Sequence, residues 1–453
     1  MGGMASTNSQ EGRAKGGLIL RSTFIQLCAV VTVVCVYLSE SNKSYLVQDV
    51  RLKSASLFTN TLMPASSSNA TTGSRQSPGT DCWREDIIRR LHNGTPSEES
   101  AVTPINSTQD SSGTISPADI PCNPVQRVVY VKTHKTASTT MASILERFGY
   151  LRNLSFALGK KNHILSSEKL FTTSMPFRVP NRTRTDFDML VNHVRYNRKD
   201  MDIAVPNAKY VSILRNPVSQ LESAFGYFEM GRHLKIRTKN PFETFMNNPQ
   251  YYYRKKTFFW TRSRNGQLYD FGFDHKYDED KDHIQSLIDK ISQEIDLMMI
   301  TEYFDESLIL FRKLMCWDFE DILYISNGIR SKSHRYPVND DIARRIRTWS
   351  AGDVMLYEHF NRTLWKKVAE YGPQFQKDLA HFHSLENRAM DICVNQSKKD
   401  SKDLREDKLT LKRKSKFCVD LMRGDVPYTA LIRRTMVKRA NEEAARRALE
   451  RGR

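Results

Sequence analysis

The chain has 453 residues, with 69 Lys and Arg against 51 Asp and Glu, a formal net charge of +18. With 39% hydrophobic and 10% aromatic residues it can bury a sizeable core, which excludes wholesale disorder, a collagenous rod and a polytopic membrane protein. The basic balance, with a pI near 9.5, points to an anionic ligand, surface or polymer without choosing among nucleotide, nucleic acid and acidic glycan.

Residues 22–38 (STFIQLCAVVTVVCVYL) carry no charge and, with Arg21 snorkelling, are long enough to span a bilayer. Arg13, Lys15 and Arg21 precede them, so the positive-inside rule expects a cytoplasmic tail over 1–21 and a signal anchor over 22–38. The alternative is a cleaved signal peptide, with Ser39 and Ser41 near the cut. Either way the bulk of the chain is exported. Seven N-x-[ST] sequons, at Asn69, Asn93, Asn106, Asn153, Asn181, Asn361 and Asn395, agree with a secretory lumen. Beyond Cys28 and Cys35 in the apolar segment, Cys82, Cys122, Cys316, Cys393 and Cys418 are expected in an oxidising space, with Cys393–Cys418 as one bridge.

Residues 39–121 are rich in Ser, Thr, Asn, Gly and Pro and read as a luminal stem, with one short helix at 81–91. From 122 to 371 strand-like and helix-like segments alternate, as in an α/β domain. A charged extension over 372–453 ends in MVKRANEEAARRALERGR, expected as an exposed basic helix.

Val128–Val131 (VVYV) suits a buried strand, and Met141, Ile144, Leu145 and Phe148 after it form one apolar helix face. Between them lies Lys132-Thr-His-Lys-Thr-Ala-Ser-Thr-Thr140, a polar loop opening a helix. Unpaired N–H groups, the helix dipole, hydroxyls and lysines make this an anion cradle. It is not a Walker A loop, because G-x-x-x-x-G-K-[ST] is absent. A second strand-like run at 210–214 ends at Arg215-Asn216-Pro217, with Pro217 suited to a first helical turn. Arg215 offers a bidentate fork and Ser223 a hydroxyl to one phosphate. Two anion loops on successive strand–helix units suggest a ligand phosphorylated at two ends.

KTHKTASTT at 132–140 together with LRNPVSQLESAF at 214–225 resembles the Golgi carbohydrate sulfotransferases, above all the galactose 3-O-sulfotransferase family with its galactosylceramide sulfotransferase type. VNHVRYN (191–197) and the segments at 302–324 and 346–368 extend the resemblance over about residues 122–371. It implies a P-loop-like sulfotransferase fold, with a parallel sheet flanked by helices, in a single-pass type II Golgi membrane enzyme. The implied sulfuryl donor is 3′-phosphoadenosine 5′-phosphosulfate, and no metal is expected. Lys135, Thr136, Ala137, Ser138, Thr139 and Thr140 would hold the 5′-phosphosulfate, and Arg215 and Ser223 the 3′-phosphate. Arg330-Ser-Lys-Ser-His334 is the expected loop over the adenine.

The acceptor implied is a galactose hydroxyl, the 3-OH, on a glycolipid or glycoprotein. Its proton needs a base within hydrogen-bond reach. His193, after the strand-like 187–191, is assigned that role by position and by likeness to the histidine of uronyl 2-O-sulfotransferases. His134 and His163 are rivals, and Lys135 would balance charge on the transferring group. Competing expectations are a uronyl 2-O-type glycosaminoglycan sulfotransferase, a Golgi glycosyltransferase using the D-x-D at 278–280, and a catalytically inactive glycan-binding relative. A luminal location argues against a nucleic-acid partner.

Overall fold

The computed structural model describes residues 122–325, 329–330, 335–400 and 406–452. The expected anchor and stem, with Cys28, Cys35 and Cys82, lie outside the described residues, as do residues 331–334 of the expected adenine loop. Among the described residues no helix is long and apolar enough to cross a membrane.

Four short apolar runs pair into one sheet. They are β1 (Val128–Val131), β2 (Met189–Leu190), β3 (Lys209–Leu214) and β4 (Leu297–Ile300), in the order β2-β1-β3-β4. All pairs are parallel. Strands buried on both faces need near-continuous apolar sequence, which VVYV and LMMI supply. Val131 pairs with Ser212, and Leu214 with Ile300, so all three strands end at one edge. The chain leaves β1 toward β2 and returns on its other side as β3, which opens a crevice beyond the strand ends at that switch. The expected strand over 187–191 shrinks to two residues. At its N-terminal end Asp188 turns its carboxylate to the Ser155 N–H and hydroxyl (2.8 and 2.7 Å), and the Phe187 N–H goes to the Ala204 carbonyl; only the Asp188 carbonyl still takes a bond from β1, the Val128 N–H at 3.0 Å.

Helix α1 (Ser138–Leu151) follows β1 and buries Met141, Ile144, Leu145 and Phe148, the face its periodicity marks. Helix α2 (Pro217–Tyr227) follows β3, with Pro217 in its first turn and the Asn216 side chain accepting from the Val218 N–H at 3.0 Å. The later helices used below are α3 (Gly266–Asp270), α4 (Phe304–Met315), α5 (Ala351–Tyr371), α6 (Gln374–Cys393) and α7 (Asp425–Arg451). A Cys122–Cys316 disulfide and a Trp317 Nε1–H bond to the Val125 carbonyl (2.9 Å) fix the lead-in to β1.

The residues beyond 371 do not stand apart as an extension. Helix α6 packs on α4, and the expected Cys393–Cys418 bridge is present. Helix α7 packs along α1, with Tyr428, Ile432, Met436 and Ala440 buried. The terminal helix is therefore longer than its charge pattern suggested. Its apolar positions at 428, 432, 436 and 440 repeat every fourth residue, and this stripe draws its first half into the core. Only the last turns match the solvated helix expected there.

Candidate active site

The loop between β1 and α1 holds an unusual backbone. Lys135 and Ala137 adopt left-handed conformations (φ 64° and 60°), which non-glycine residues rarely take. Alternating handedness curls successive N–H groups into a concavity, the geometry of anion-binding nests. No side chain caps the start of α1, so its first N–H groups face outward from Ala137. The hydroxyls divide into two sets. Ser138 donates to the Thr133 carbonyl at 2.6 Å and Thr136 lies 2.7 Å from the Thr133 hydroxyl, both buried and holding the loop's shape. Thr139 and Thr140 remain toward solvent. Thr136 and Ser138 thus offer an anion their backbone N–H groups rather than the hydroxyls the sequence suggested.

The second loop meets the first directly. The Arg215 guanidinium donates to the Lys135 carbonyl at 3.2 Å. Its pKa is lowered chiefly by burial, offset by Glu302 and Glu222 and deepened by Arg330 and Arg335. Ser223 is buried on α2, next in sequence to Glu222, which pairs with Arg330 and accepts the Tyr336 N–H at 2.8 Å. Arg330 Nη1 is buried with no hydrogen-bond partner among the described residues. Arg215, Arg330 and Arg335 therefore converge beside Ser223. A cleft of about 540 Å³, lined by Gly226, Arg232, Lys235, Arg237 and Tyr336, opens next to them.

Four supporting residues escaped the sequence. Gln267 of α3 grips the Arg215 peptide at both ends, accepting its N–H at 2.8 Å and donating to its carbonyl at 2.9 Å. The Thr301 hydroxyl, just past β4, lies 2.7 Å from the Thr136 carbonyl and 3.0 Å from the Leu214 carbonyl, tying the two loops together. Glu302 accepts the Asn216 N–H at 3.0 Å. Asp270 is the fourth, described next. Thr301 and Glu302 carried a usable signal, because 297–302 repeats the pattern of an apolar run broken by polar residues seen after β1 and β3. Gln267 and Asp270 carried none.

His193 and His134 are stacked, with ring centroids 4.1 Å apart and planes 19° from parallel. His193 Nδ1 lies 3.1 Å from the Lys132 carbonyl. A carbonyl can only accept, so Nδ1 carries the proton and Nε2 keeps a lone pair. His134 Nδ1 lies 3.0 Å from both Asp270 oxygens, and its backbone N–H reaches the same carboxylate at 2.8 Å. Burial alone would raise the Asp270 pKa, but Arg262 and the His134 contacts hold it low. Both imidazoles are pushed toward the neutral form. Burial is the main cause for each, with Asp270 opposing it at His134, and with His134 and Lys132 deepening it at His193. His163 is half-buried in the loop that runs beside residues 193–195; burial lowers its pKa, with Asp425 opposing and Lys132 adding to the shift, so it too lies within reach of the charges around His193.

The D-x-D at 278–280 and a histidine of α6 both meet polar partners inside the fold. Asp278 of the D-x-D is buried and engaged by Asn265 (2.7 Å) and Tyr253 (3.1 Å), and Asp280 caps a helix through the His283 N–H. The acidic run is thus not simply a solvated loop, because Asp278 is a satisfied internal acceptor. His383 meets Asp305 across α4 and α6 at 3.1 Å. With Glu386 these form the one group of metal-type ligands among the described residues.

Strand-end loops carrying an anion nest, a half-buried arginine and a stacked histidine pair make this edge of an α/β sheet the candidate active site. The family follows from comparison. A family model described as galactose-3-O-sulfotransferase matches residues 89–432, and the chain belongs to that family of carbohydrate sulfotransferases. It is 30% identical over 304 residues to mouse (Mus musculus) galactosylceramide sulfotransferase, covering 66% of this chain and 69% of that one. It is 37% identical over 252 residues to mouse galactose-3-O-sulfotransferase 3 (54% and 58%) and 32% identical over 278 residues to mouse galactose-3-O-sulfotransferase 2 (60% and 70%).

The surroundings of His193 give a first test. His134, Lys132 and Arg262 all disfavour its protonation in addition to burial, so it should stay neutral as pH falls through the ordinary histidine value of 6.5. An NMR titration of histidine-labelled chain, with the His193 resonance assigned by its loss in His193→Ala, should show protonation only well below that pH. A midpoint at or above it would contradict the geometry.

Proposed function

We propose that this chain transfers a sulfuryl group from 3′-phosphoadenosine 5′-phosphosulfate to the 3-hydroxyl of a galactose on a glycolipid or glycoprotein. The observation that carries this is the meeting of the open α1 N-terminus with Arg215 on one side and the neutral histidine pair on the other. The donor, when bound, supplies a sulfuryl group on a phosphate leaving group. Lys135 and the N–H groups of residues 136–139 hold its 5′ end, with the Thr140 hydroxyl beside them; the Thr140 N–H is already given to the Ala137 carbonyl. Arg215, Ser223 and the Arg330 guanidinium take the 3′-phosphate, with the nucleoside toward the cleft beside Gly226 and Tyr336.

The chain's residues then have definite tasks. His193 Nε2 accepts the galactose hydroxyl proton as that oxygen bonds to sulfur and the sulfur–oxygen bond to the leaving phosphate breaks. The Nδ1–H bond to the Lys132 carbonyl favours the resulting imidazolium, while burial and the positive groups around it oppose it, so the ring holds the proton only in passing. Lys135 offsets charge on the departing phosphate, as in other group transfers governed by positioning and electrostatics.

Rings continue outward from the histidines. His134 neighbours Phe228 (6.0 Å between centroids), Phe228 neighbours Phe259 (4.2 Å) and Phe259 neighbours Phe258 (4.0 Å). Phe259 is held in the left-handed region at φ 65°, a costly conformation for a bulky residue, while Phe258 is 67% exposed. This ledge suits the apolar face of a sugar ring beside the base.

The same reading makes it a Golgi type II membrane enzyme, anchored by 22–38 with the catalytic domain luminal. The two disulfides and the exposed turns at Asn153 and Asn181 support an oxidising, glycosylating compartment.

The test uses the full-length chain in detergent with sulfur-labelled donor and β-galactosides. Label should reach the acceptor, and the sulfated galactose should resist periodate, because only 3-O substitution removes every vicinal diol of the ring. His193→Ala should cut turnover by about 10²–10⁴-fold. No transfer by folded chain, or a periodate-sensitive product, would overturn the proposal. In the same assay Phe258→Ala should raise the acceptor KM roughly three- to tenfold, the value of one aromatic contact, with kcat largely kept. An unchanged KM would remove the ledge from the acceptor site.

A further inference from the structure

A lysine ammonium inside a protein is costly unless a counter-charge meets it. Lys132, the first residue after β1, is 1% exposed, and its Nζ lies 2.5 Å from Asp425 Oδ2. Asp425 is the first residue of α7, where the helix dipole favours a carboxylate, and its other oxygen accepts the Val426 N–H at 2.8 Å. One turn on, the Thr429 hydroxyl donates to Glu146 of α1 at 2.8 Å and accepts from the Asn192 amide at 3.2 Å. The Asn192 amide also lies 3.5 Å from Glu146.

These contacts converge on one imidazole. Lys132 owns the carbonyl that takes the His193 Nδ1–H, and Asn192 is the residue before His193. We propose that Asp425 and Thr429 are positioning residues: the start of the C-terminal helix braces His193 from both sides, fixing the carbonyl that selects its tautomer and the peptide that carries its ring. The brace comes from more than 230 residues away in sequence, from a segment whose composition reads as a charged tail. The inference rests on His193 acting as the base. The bracing itself does not, so its test has a readout independent of turnover.

The experiment compares full-length wild type, Asp425→Asn, Asp425→Glu and Thr429→Val, each checked for a cooperative melt. Histidine-labelled NMR reads the His193 tautomer, and the sulfuryl-transfer assay reads kcat, KM and affinity for 3′,5′-adenosine bisphosphate. Wild type should hold the Nδ1–H tautomer, and Asp425→Asn should show a mixture. Its kcat should fall roughly 10–10²-fold, the scale of a displaced catalytic group, with acceptor KM and bisphosphate affinity within about twofold. Asp425→Glu should recover part of the loss. Thr429→Val, nearly isosteric, keeps the ion pair and should lose kcat by a smaller factor in the same pattern.

A folded Asp425→Asn with wild-type tautomer and kcat would overturn the proposal. So would losses in kcat that merely follow the folded fraction of each variant. If wild type itself transfers no sulfate, the functional proposal fails, while the tautomer comparison still decides whether the brace exists.

Discussion

The site depends on the parallel register between β1 and β3. Val131, the last residue of β1, lies opposite Ser212, and β3 runs only two residues further to Leu214, so the loops that follow emerge side by side. A shift of one residue would turn every side chain of β3 to the opposite face and carry Arg215 away from the Lys135 carbonyl. Both strands are buried on two sides, so the register is pinned less by which face is apolar than by specific contacts, such as the Ser212 hydroxyl donating to the Val131 carbonyl at 2.6 Å. Thr301, one step past β4, then locks the two loops by sharing its hydroxyl between their carbonyls.

Around this edge several buried charges are paired. Lys132 meets Asp425, Asp270 meets His134 and Arg262, and Glu222 meets Arg330. Buried pairs add little net stability, but removing one partner leaves the other stranded, which makes such pairs effective at specifying one arrangement. Here they specify where two imidazoles point. Low polarity also keeps both rings neutral, the state in which Nε2 can accept a proton. Structure and proton chemistry share one cause: burial.

Much of this was legible in the chain, and the limits have physical reasons. The strand at 128–131, the helix face at 141–148 and the turn at 215–217 are local patterns, and local patterns survive into the fold. Lys135, Arg215 and His193 were singled out because each sits at or just after a strand-like run. Gln267 and Asp270 were not, since Asp270 reaches His134 across 136 residues and nothing near either predicts the meeting. The C-terminal helix misled for a different reason. Its arginines dominate the composition, while the stripe Tyr428, Ile432, Met436 and Ala440 that docks it is sparse. Ser138 and Thr136 show a third limit, since sequence marks a hydroxyl but not whether it faces the ligand or the loop.

The most direct measurement is isothermal titration of the full-length chain with 3′,5′-adenosine bisphosphate, because the account stands or falls on two loops holding one bisphosphate. It predicts micromolar binding by wild type and a loss of at least about tenfold in Arg215→Ala, the scale of one charge-assisted contact. Absence of binding by folded protein, or wild-type affinity in Arg215→Ala, would contradict it.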